Sequence, residues 1–368
     1  LPNVELLVGP EVQRARELVL EHGWNTTCYQ LLNPGMTLWF SQSHPGVVGY
    51  VKRAGVRVVA GAPVCAPEHL AAVEAEWNED CDRSKDGVCY FGAEARMCAY
   101  TEGRPGYSSA VLGAQPTWAP DKFLEAIQGN RDLRYQLSRA SNKHVEIREW
   151  PSSAAAGNPD LRRCLQEWLA TRGLPPLHFL VEPHTLDNLW DRRLFVAEKE
   201  GEPVGFVVLS PVPSRQGWLT EQFVRGRHAP NGTIELALAE AIKTACLDGS
   251  SFVTMGIVPL SSHGFGAQTS NPRWLKWLMA WVRAHGRRFY NFDGLDAFKS
   301  KFKPDEWEPI YAISREPQFS MKTLYAIAAA FSEGPPLLAG LRGIGRAAVQ
   351  EVKWALPSSG SRLQSGRT

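Results

Sequence analysis

Residues 193–212 read RLFVAEKEGEPVGFVVLSPV, two β-branched and aliphatic runs on either side of Glu200–Gly201. Apolar runs joined by two turn residues make a hairpin. Further along, GWLTEQFV (217–224) supplies another strand, TIELALAEAIKTACLDG (233–249) a long helix closing at Gly249, and SSFVTMGI (250–257) a strand. The same order stands earlier in the chain. A helix from Val12 to His22 ends at Gly23, and the extended segments MTLWFS (36–41), GVVGYVKRAG (46–55) and VRVVAGAP (56–63) follow. A helix over Pro67–Asp82 then carries Leu70, Val73 and Trp77 at helical spacing, and VCYFGA (88–93) returns to strand.

Hairpin, strand, helix, strand therefore occurs twice, which predicts an α+β fold of mixed sheets flanked by helices. The expected architecture is a tandem of two acetyltransferase-like units of the GNAT type, one over residues 1–119 and a second, catalytic one over 151–316. Between them, residues 120–150 read as one basic connecting helix with Arg131, Arg134, Arg139, Lys143 and Arg148, offset by Asp121, Glu125, Asp132, Glu146 and Glu149. Such a run is a solvated face or a surface that meets tRNA. Residues 317–368 read as amphipathic helices and a tail, with Leu337, Leu341, Ile344, Ala348 and Val352 on one stripe and Arg342, Arg346 and Lys353 on another. That helix packs on the body or lies on anionic headgroups.

Composition sets outer limits. A chain of 368 residues has room for two cores, and 44% hydrophobic with 21% charged residues is ordinary for a globular protein. Forty Lys and Arg against 38 Asp and Glu exclude a surface wholly devoted to a nucleic-acid backbone, so any polyanion contact is local. No apolar run approaches the ~20 residues of a membrane span. The seven cysteines show no CxxC or CxxH spacing, which speaks for reduced thiols and against a metal site. The sequence begins at Leu1 without a methionine or a leader, and reads as a processed product or a piece of a longer protein.

Two segments carry chemistry. An acetyl-coenzyme A site wants glycines and free amides before the long helix, yet the junction reads VRGRHAPNGTIEL (224–236), with Arg227, His228 and Pro230. Coenzyme A is thus not the expected donor, no cofactor or metal is expected, and Asn231 or Thr233 caps the helix. The second segment, NFDGLDAFKSKFKPDEWEPIY (291–311), sets Lys299, Lys301 and Lys303 among Phe298, Phe302 and Trp307. Cations for phosphates and rings for unpaired bases are what a single-stranded RNA end requires.

Taken in order, RGLPPLHFLVEP (172–183), RRLFVAE (192–198), EQFVRGRHAPNGTIEL (221–236), MGIVPLSS (255–262) and FDGLDAFKSKFKPDEWEPIY (292–311) resemble the soluble catalytic domain of the phosphatidylglycerol lysyltransferase, or aminoacyl-phosphatidylglycerol synthase, family. A weaker echo covers VRVVAGAPVCAPEH (56–69), and the likeness spans most of residues 10–315. The resemblance implies transfer of an amino acid from aminoacyl-tRNA to a lipid hydroxyl at the cytoplasmic membrane face, and with it resistance to cationic peptides. It also implies catalytic roles for Lys299 and Lys301, with Lys299 steadying the oxyanion or the terminal ribose-phosphate, and a grip by Arg225 on the aminoacyl group. The family's acid three positions before that arginine is replaced by Gln222, with Glu221 next to it. Glu182 and Asp293 are further candidates for the ammonium group. A lone loop histidine such as His263 is more often structural than a base.

The sequence thus reads as a peripheral aminoacyltransferase using aminoacyl-tRNA and a phospholipid acceptor, most simply phosphatidylglycerol, at an anionic membrane surface. Another lipid, a sterol or a small metabolite is the alternative acceptor, and a non-catalytic tRNA- or membrane-binding module is the alternative class.

Overall fold

The computed structural model describes residues 9–172, 177–264, 271–285 and 291–332. Its strands are β1 (Thr37–Phe40), β2 (Gly46–Arg53), β3 (Val56–Ala60), β4 (Val64–Cys65), β5 (Gly87–Ala93), β6 (Ser108–Trp118), β7 (Val145–Trp150), β8 (Arg193–Lys199), β9 (Glu202–Val212), β10 (Gly217–Arg225), β11 (Phe252–Thr254), β12 (Val258–Pro259) and β13 (Glu306–Ser314). All join one mixed sheet in the order β1-β2-β3-β5-β13-β6-β11-β10-β9-β8-β7, with β4 on β2 and β12 on β6. Helices flank it, so the mixed α/β class expected from the element order is the class found.

The repeat is visible in the pairing. Glu200 and Gly201 both take positive φ, 56° and 83°, and close the β8–β9 hairpin at Lys199↔Glu202. Ala54 and Gly55, at 50° and 71°, close β2–β3 at Arg53↔Val56 in the same way. Two central residues of positive φ match the natural strand twist. In each half a strand then crosses through a helix to a parallel neighbour. β3 passes through Leu70–Arg83 to β5, and β10 through Thr233–Leu247 to β11.

Between the halves lie β6 and β13, antiparallel from Glu306↔Thr117 to Ser314↔Ser108. β13 comes from the end of the described chain yet pairs with β5 as well, from Tyr311 to Ser314. The segment rich in lysine and aromatic residues therefore runs directly into the middle of the sheet.

Residues 120–150 are not one helix. They form the helices Pro120–Gly129 and Arg131–Ser141 and then edge strand β7. Asn130 breaks the first run with an extended backbone, and its side chain caps the second by accepting from the Asp132 and Leu133 amides. VEIREW then follows strand rather than helical period and pairs with β8 from Val145↔Lys199 to Trp150↔Leu194. Arg131, Arg134, Arg139, Lys143 and Arg148 are exposed.

The long helix Thr233–Leu247 buries Ile234, Ala237, Leu238, Ala241 and Ile242 against Phe195, Val207 and Leu209 of the sheet, and Phe123, Ile127 and Leu133 of the two preceding helices close over it. In the other half, Trp77, Cys81 and Tyr90 centre a core on one face, and helices Pro10–His22 and Met321–Ala330 bury Val19 and Ile327 on the other. The amphipathic pattern of residues 337–353 lies outside the described residues. Among those described, no helix is long and apolar enough to cross a membrane.

Candidate active site

β10 and β11 pair in parallel through three positions only, Gly217↔Phe252, Trp218↔Val253 and Leu219↔Thr254, and then part. On one side β10 bulges between Thr220 and Gln222 while staying on β9. On the other, Met255–Ile257 leads into β12, which joins β6 at Val258↔Ala114. Gly256 makes that turn with φ of 71°, and a Cβ there would stand 2.9 Å from Leu219 Cδ1. Parted parallel strands leave backbone groups without sheet partners, and those groups have to be satisfied otherwise.

Lys299 satisfies three of them. It lies on helix Phe292–Ser300, is 3% exposed, and its Nζ donates to the carbonyls of Met255 (2.6 Å), Gly256 (2.9 Å) and Ile257 (3.2 Å). Burial pushes its amine down to about 7, opposed by the Asp296 carboxylate. An ammonium has three N–H donors, and here all three are occupied by backbone. In this arrangement Lys299 cannot also donate to an oxyanion or a ribose-phosphate. The direct contact expected from the sequence is corrected to a positioning one, with Lys299 pinning the strand end on the far side of the opening.

One helical turn before Lys299, the Asp296 carboxylate accepts from the Ser261 hydroxyl (3.1 Å) and the Ser300 hydroxyl (3.2 Å), and lies 3.4 Å from His263 Nε2. The His263 ring stacks on Trp307, centroids 4.3 Å apart and planes 9° from parallel. A partly exposed imidazole is thus oriented by a carboxylate and a flat ring. The two neighbours fix the plane of the imidazole and place Nε2 beside the carboxylate.

The other two lysines go different ways. Lys301 Nζ pairs with Glu235 Oε1 (2.5 Å) in the first turn of the long helix and lies 4.1 Å from the centre of the Phe298 ring. Lys303, exposed, has φ of 49°. Phe302 is fully buried, stacks on Phe123 and accepts the Trp118 indole N–H at its carbonyl (3.0 Å). Phe298 stacks on Phe223. Phe302 is core, so the expected base-stacking role does not fit it, and Phe298 is half-buried with its ring taken up by Phe223 and Phe302. Trp307 faces His263. Replacing Lys301 with alanine removes a half-buried ion pair and a cation–ring contact, and is expected to cost about 1–2 kcal/mol in a urea titration.

Across the opening, the bulge re-aims Glu221, whose side chain is 5% exposed. Arg192 Nε and Nη2 donate to its two oxygens (2.7 and 3.1 Å), and the Ser210 hydroxyl donates as well. Burial works against its charge, but Arg192 and these donors hold the Glu221 carboxyl below the usual carboxylate range. Arg192 also donates to Asn33 Oδ1 (3.2 Å) and lies over the Tyr29 ring. Glu221 is thus consumed by an arginine and is unsuited to hold an amino group. Gln222 is buried, accepting from the Thr185 hydroxyl (2.5 Å) and donating to the Pro183 carbonyl (3.1 Å), which ties down the segment carrying Glu182. Glu182 accepts from the His184 amide (3.0 Å) and lies 3.5 Å from His178 Nδ1.

Arg225 stands apart from this group. Its guanidinium donates to the Ala229 carbonyl (2.9 Å) and Asn231 Oδ1 (2.8 Å), bracing the loop before the long helix. In the same loop the Arg227 amide donates to Glu167 (2.8 Å). Asp293 accepts from Arg283 (3.1 and 3.0 Å) and serves the neighbouring helix. The structure thus gathers Lys299, Trp307 and His263 with Asp296 and Ser261 on one side, and Glu221, Gln222 and Glu182 with Arg192 on the other. Asp296 was legible as the acid three residues before Lys299 in FDGLDAFKS. Arg192 had no local signal, since its partner lies on another strand.

The repeated unit with its parted parallel strands defines a mixed α/β fold, one sheet flanked by helices. Residues 16–314 match the family described as phosphatidylglycerol lysyltransferase, C-terminal, and the chain belongs to that family. It is 24% identical over 319 residues to the phosphatidylglycerol lysyltransferase of Bacillus subtilis (strain 168), covering 86% of this chain and 36% of that protein. The chain therefore spans about a third of that relative's length. Among solved structures it is similar to L-PGS from Bacillus licheniformis, with a TM-score of 0.72 and 19% identity over 91% of this chain and 99% of the other. The C-terminal domain (DUF2156) of an Agrobacterium fabrum protein gives the same TM-score and identity over 88% and 97%. At that identity the two likenesses show the fold.

Proposed function

We propose that this chain transfers an aminoacyl group from aminoacyl-tRNA to a hydroxyl of phosphatidylglycerol, acting peripherally at the inner face of the cell membrane. Family membership supports the lipid acceptor. The observation that carries the reading is the opening between β10 and β11, with the Lys299-pinned carbonyls and the His263–Asp296 pair on one side and, on the other, the Glu182 carboxylate next to the Pro183 carbonyl that Gln222 holds.

In the proposed reaction the lipid hydroxyl oxygen attacks the carbonyl carbon of the tRNA ester, and His263 takes the hydroxyl proton as the new bond forms. Collapse of the tetrahedral oxyanion breaks the bond to the terminal ribose. The ribose oxygen leaves as a hydroxyl by taking that proton back. The ester is already activated, so no covalent enzyme intermediate is needed; two aligned substrates and one base suffice. Glu182 receives the ammonium group of the amino acid, because Glu221 is neutralised by Arg192. Arg225 and Arg227, exposed before the long helix, and Lys303, exposed after helix Phe292–Ser300, are cations available to the phosphates of the tRNA end.

The test is a mixed pool of radiolabelled aminoacyl-tRNAs incubated with the purified chain and phosphatidylglycerol vesicles, followed by lipid extraction. Labelled lipid is the expected result and identifies the amino acid. Label that stays on tRNA, or moves to another acceptor, contradicts the assignment of phosphatidylglycerol.

A further inference from the structure

Helix Arg273–His285 reads RWLKWLMAWVRAH and contains no acidic residue. Leu275 and Met279 on its inner face are buried in the same core as helix Pro10–His22. Its outer face carries Arg273, Lys276, Trp277, Ala280 and Trp281, all exposed. Trp277 is 69% and Trp281 50% exposed, the two most exposed tryptophans among the described residues, one turn apart. Indoles are large and amphipathic and settle where an apolar phase meets water. Tryptophans beside basic residues and no acids are the pattern of a helix that lies in the interface of an anionic bilayer.

The helix is fastened to the candidate active site. Asn271, just before it, bonds both the amide and the carbonyl of Val111 in β6 (2.8 Å each). Near its end, Arg283 donates to the Leu260 carbonyl (2.9 Å) and to Asp293. Leu260 adjoins Ser261, and Asp293 lies three residues before Asp296 on the same helix. Whatever surface receives Trp277 and Trp281 is therefore held at a fixed position relative to His263 and Lys299.

We infer that the outer face of this helix docks the chain on an anionic lipid bilayer, with Trp277 and Trp281 entering the interface and Arg273 and Lys276 meeting the headgroups. The inference rests on the lipid-acceptor reading and names the surface that serves it. An RNA strand is the poorer occupant, because stacking proteins line a groove along the backbone with rings, whereas these two stand on the solvent side of a helix.

The test is co-sedimentation with large vesicles of phosphatidylcholine alone or mixed with phosphatidylglycerol, using the full chain and the double variant Trp277→Ser/Trp281→Ser. Both substitutions are on exposed positions, and circular dichroism and a melting curve check that the variant is folded. The expected result is binding to the mixed vesicles that weakens with salt and falls about tenfold or more in the double variant. Arg273→Gln/Lys276→Gln is expected to lose the preference for phosphatidylglycerol. Transfer to a water-soluble short-chain phosphatidylglycerol is expected to survive the tryptophan changes. If the chain aminoacylates no acceptor yet its vesicle binding depends on the two tryptophans, the transferase reading fails and the docking surface stands. Wild-type vesicle binding by the double variant overturns the inference, as does a loss confined to tRNA binding, which would make the face an RNA surface.

Discussion

Replacing Lys299 with methionine is expected to lower the proposed aminoacyl transfer by about 10²-fold or more and to destabilise the fold by about 2–4 kcal/mol. The stability loss follows from the carbonyls of Met255, Gly256 and Ile257, which keep a buried position and lose their donor. The activity loss follows from geometry, because those carbonyls fix one side of the opening and a displacement of about 1 Å near the reacting atoms is enough for 10²-fold. A stability dependence on pH comes with it. Burial lowers the folded-state amine from the ordinary 10.5 to about 7. Between those values the unfolded chain holds a proton that the folded chain releases, so the burial penalty is full below about pH 7 and fades as pH rises toward 10.5. The stability of the wild type relative to Lys299→Met is therefore expected to increase with pH across that window, as read by denaturant titrations at several pH values. Equal stability of the two proteins throughout would show that the amine does not hold the strand ends.

The second large effect is at the buried pair. Arg192→Met leaves the Glu221 carboxylate without its main partner inside the sheet, and is expected to cost about 3–5 kcal/mol. Replacing both, as Arg192→Met/Glu221→Gln, is expected to recover a good part of that loss, since the unpaired charge is then gone. Urea titrations of the two single variants and the double one measure the coupling. Because Glu221 is held below the usual carboxylate range, the pair's stabilisation is present above the unfolded-state value and is lost as pH falls through the folded one. Additive losses in the double variant would mean that the two side chains do not act as a unit. The same result bears on specificity. With Glu221 committed to Arg192, the proposed reaction assigns recognition of the amino group to Glu182.

The repeat was legible because local signals agreed: period-two apolar runs, the turn at Glu200–Gly201 and a helix ending at Gly249. The connecting region was misread because its charge pattern suits a helix surface, while the stop at Asn130 and the strand period of VEIREW are short signals beside it. The insertion of β13 between β5 and β6 had no sequence signal, since Trp307 and Pro116 become neighbours only once the sheet forms. The lysine segment stands out in the sequence, but residue type alone does not assign its chemistry. The helix Phe292–Ser300 and the turn after it direct Lys299, Lys301, Phe298 and Phe302 to different partners, and only the fold shows that Phe302 is buried, that Phe298 packs on Phe223 and that Lys299 is tied to backbone. His263 gained its interest the same way. A loop histidine alone carries little weight, whereas one stacked on Trp307 and beside Asp296 is oriented.

In the proposed reaction His263, beside Asp296 and the Lys299-pinned opening, moves the proton during aminoacyl transfer to a lipid hydroxyl. The most direct measurement is steady-state transfer of a labelled aminoacyl group from tRNA to phosphatidylglycerol by wild type and His263→Ala, with and without added imidazole. The expected result is a kcat lower by about 10²–10⁴-fold, little change in KM, and partial recovery with imidazole. A folded His263→Ala protein turning over at the wild-type rate would contradict the claim.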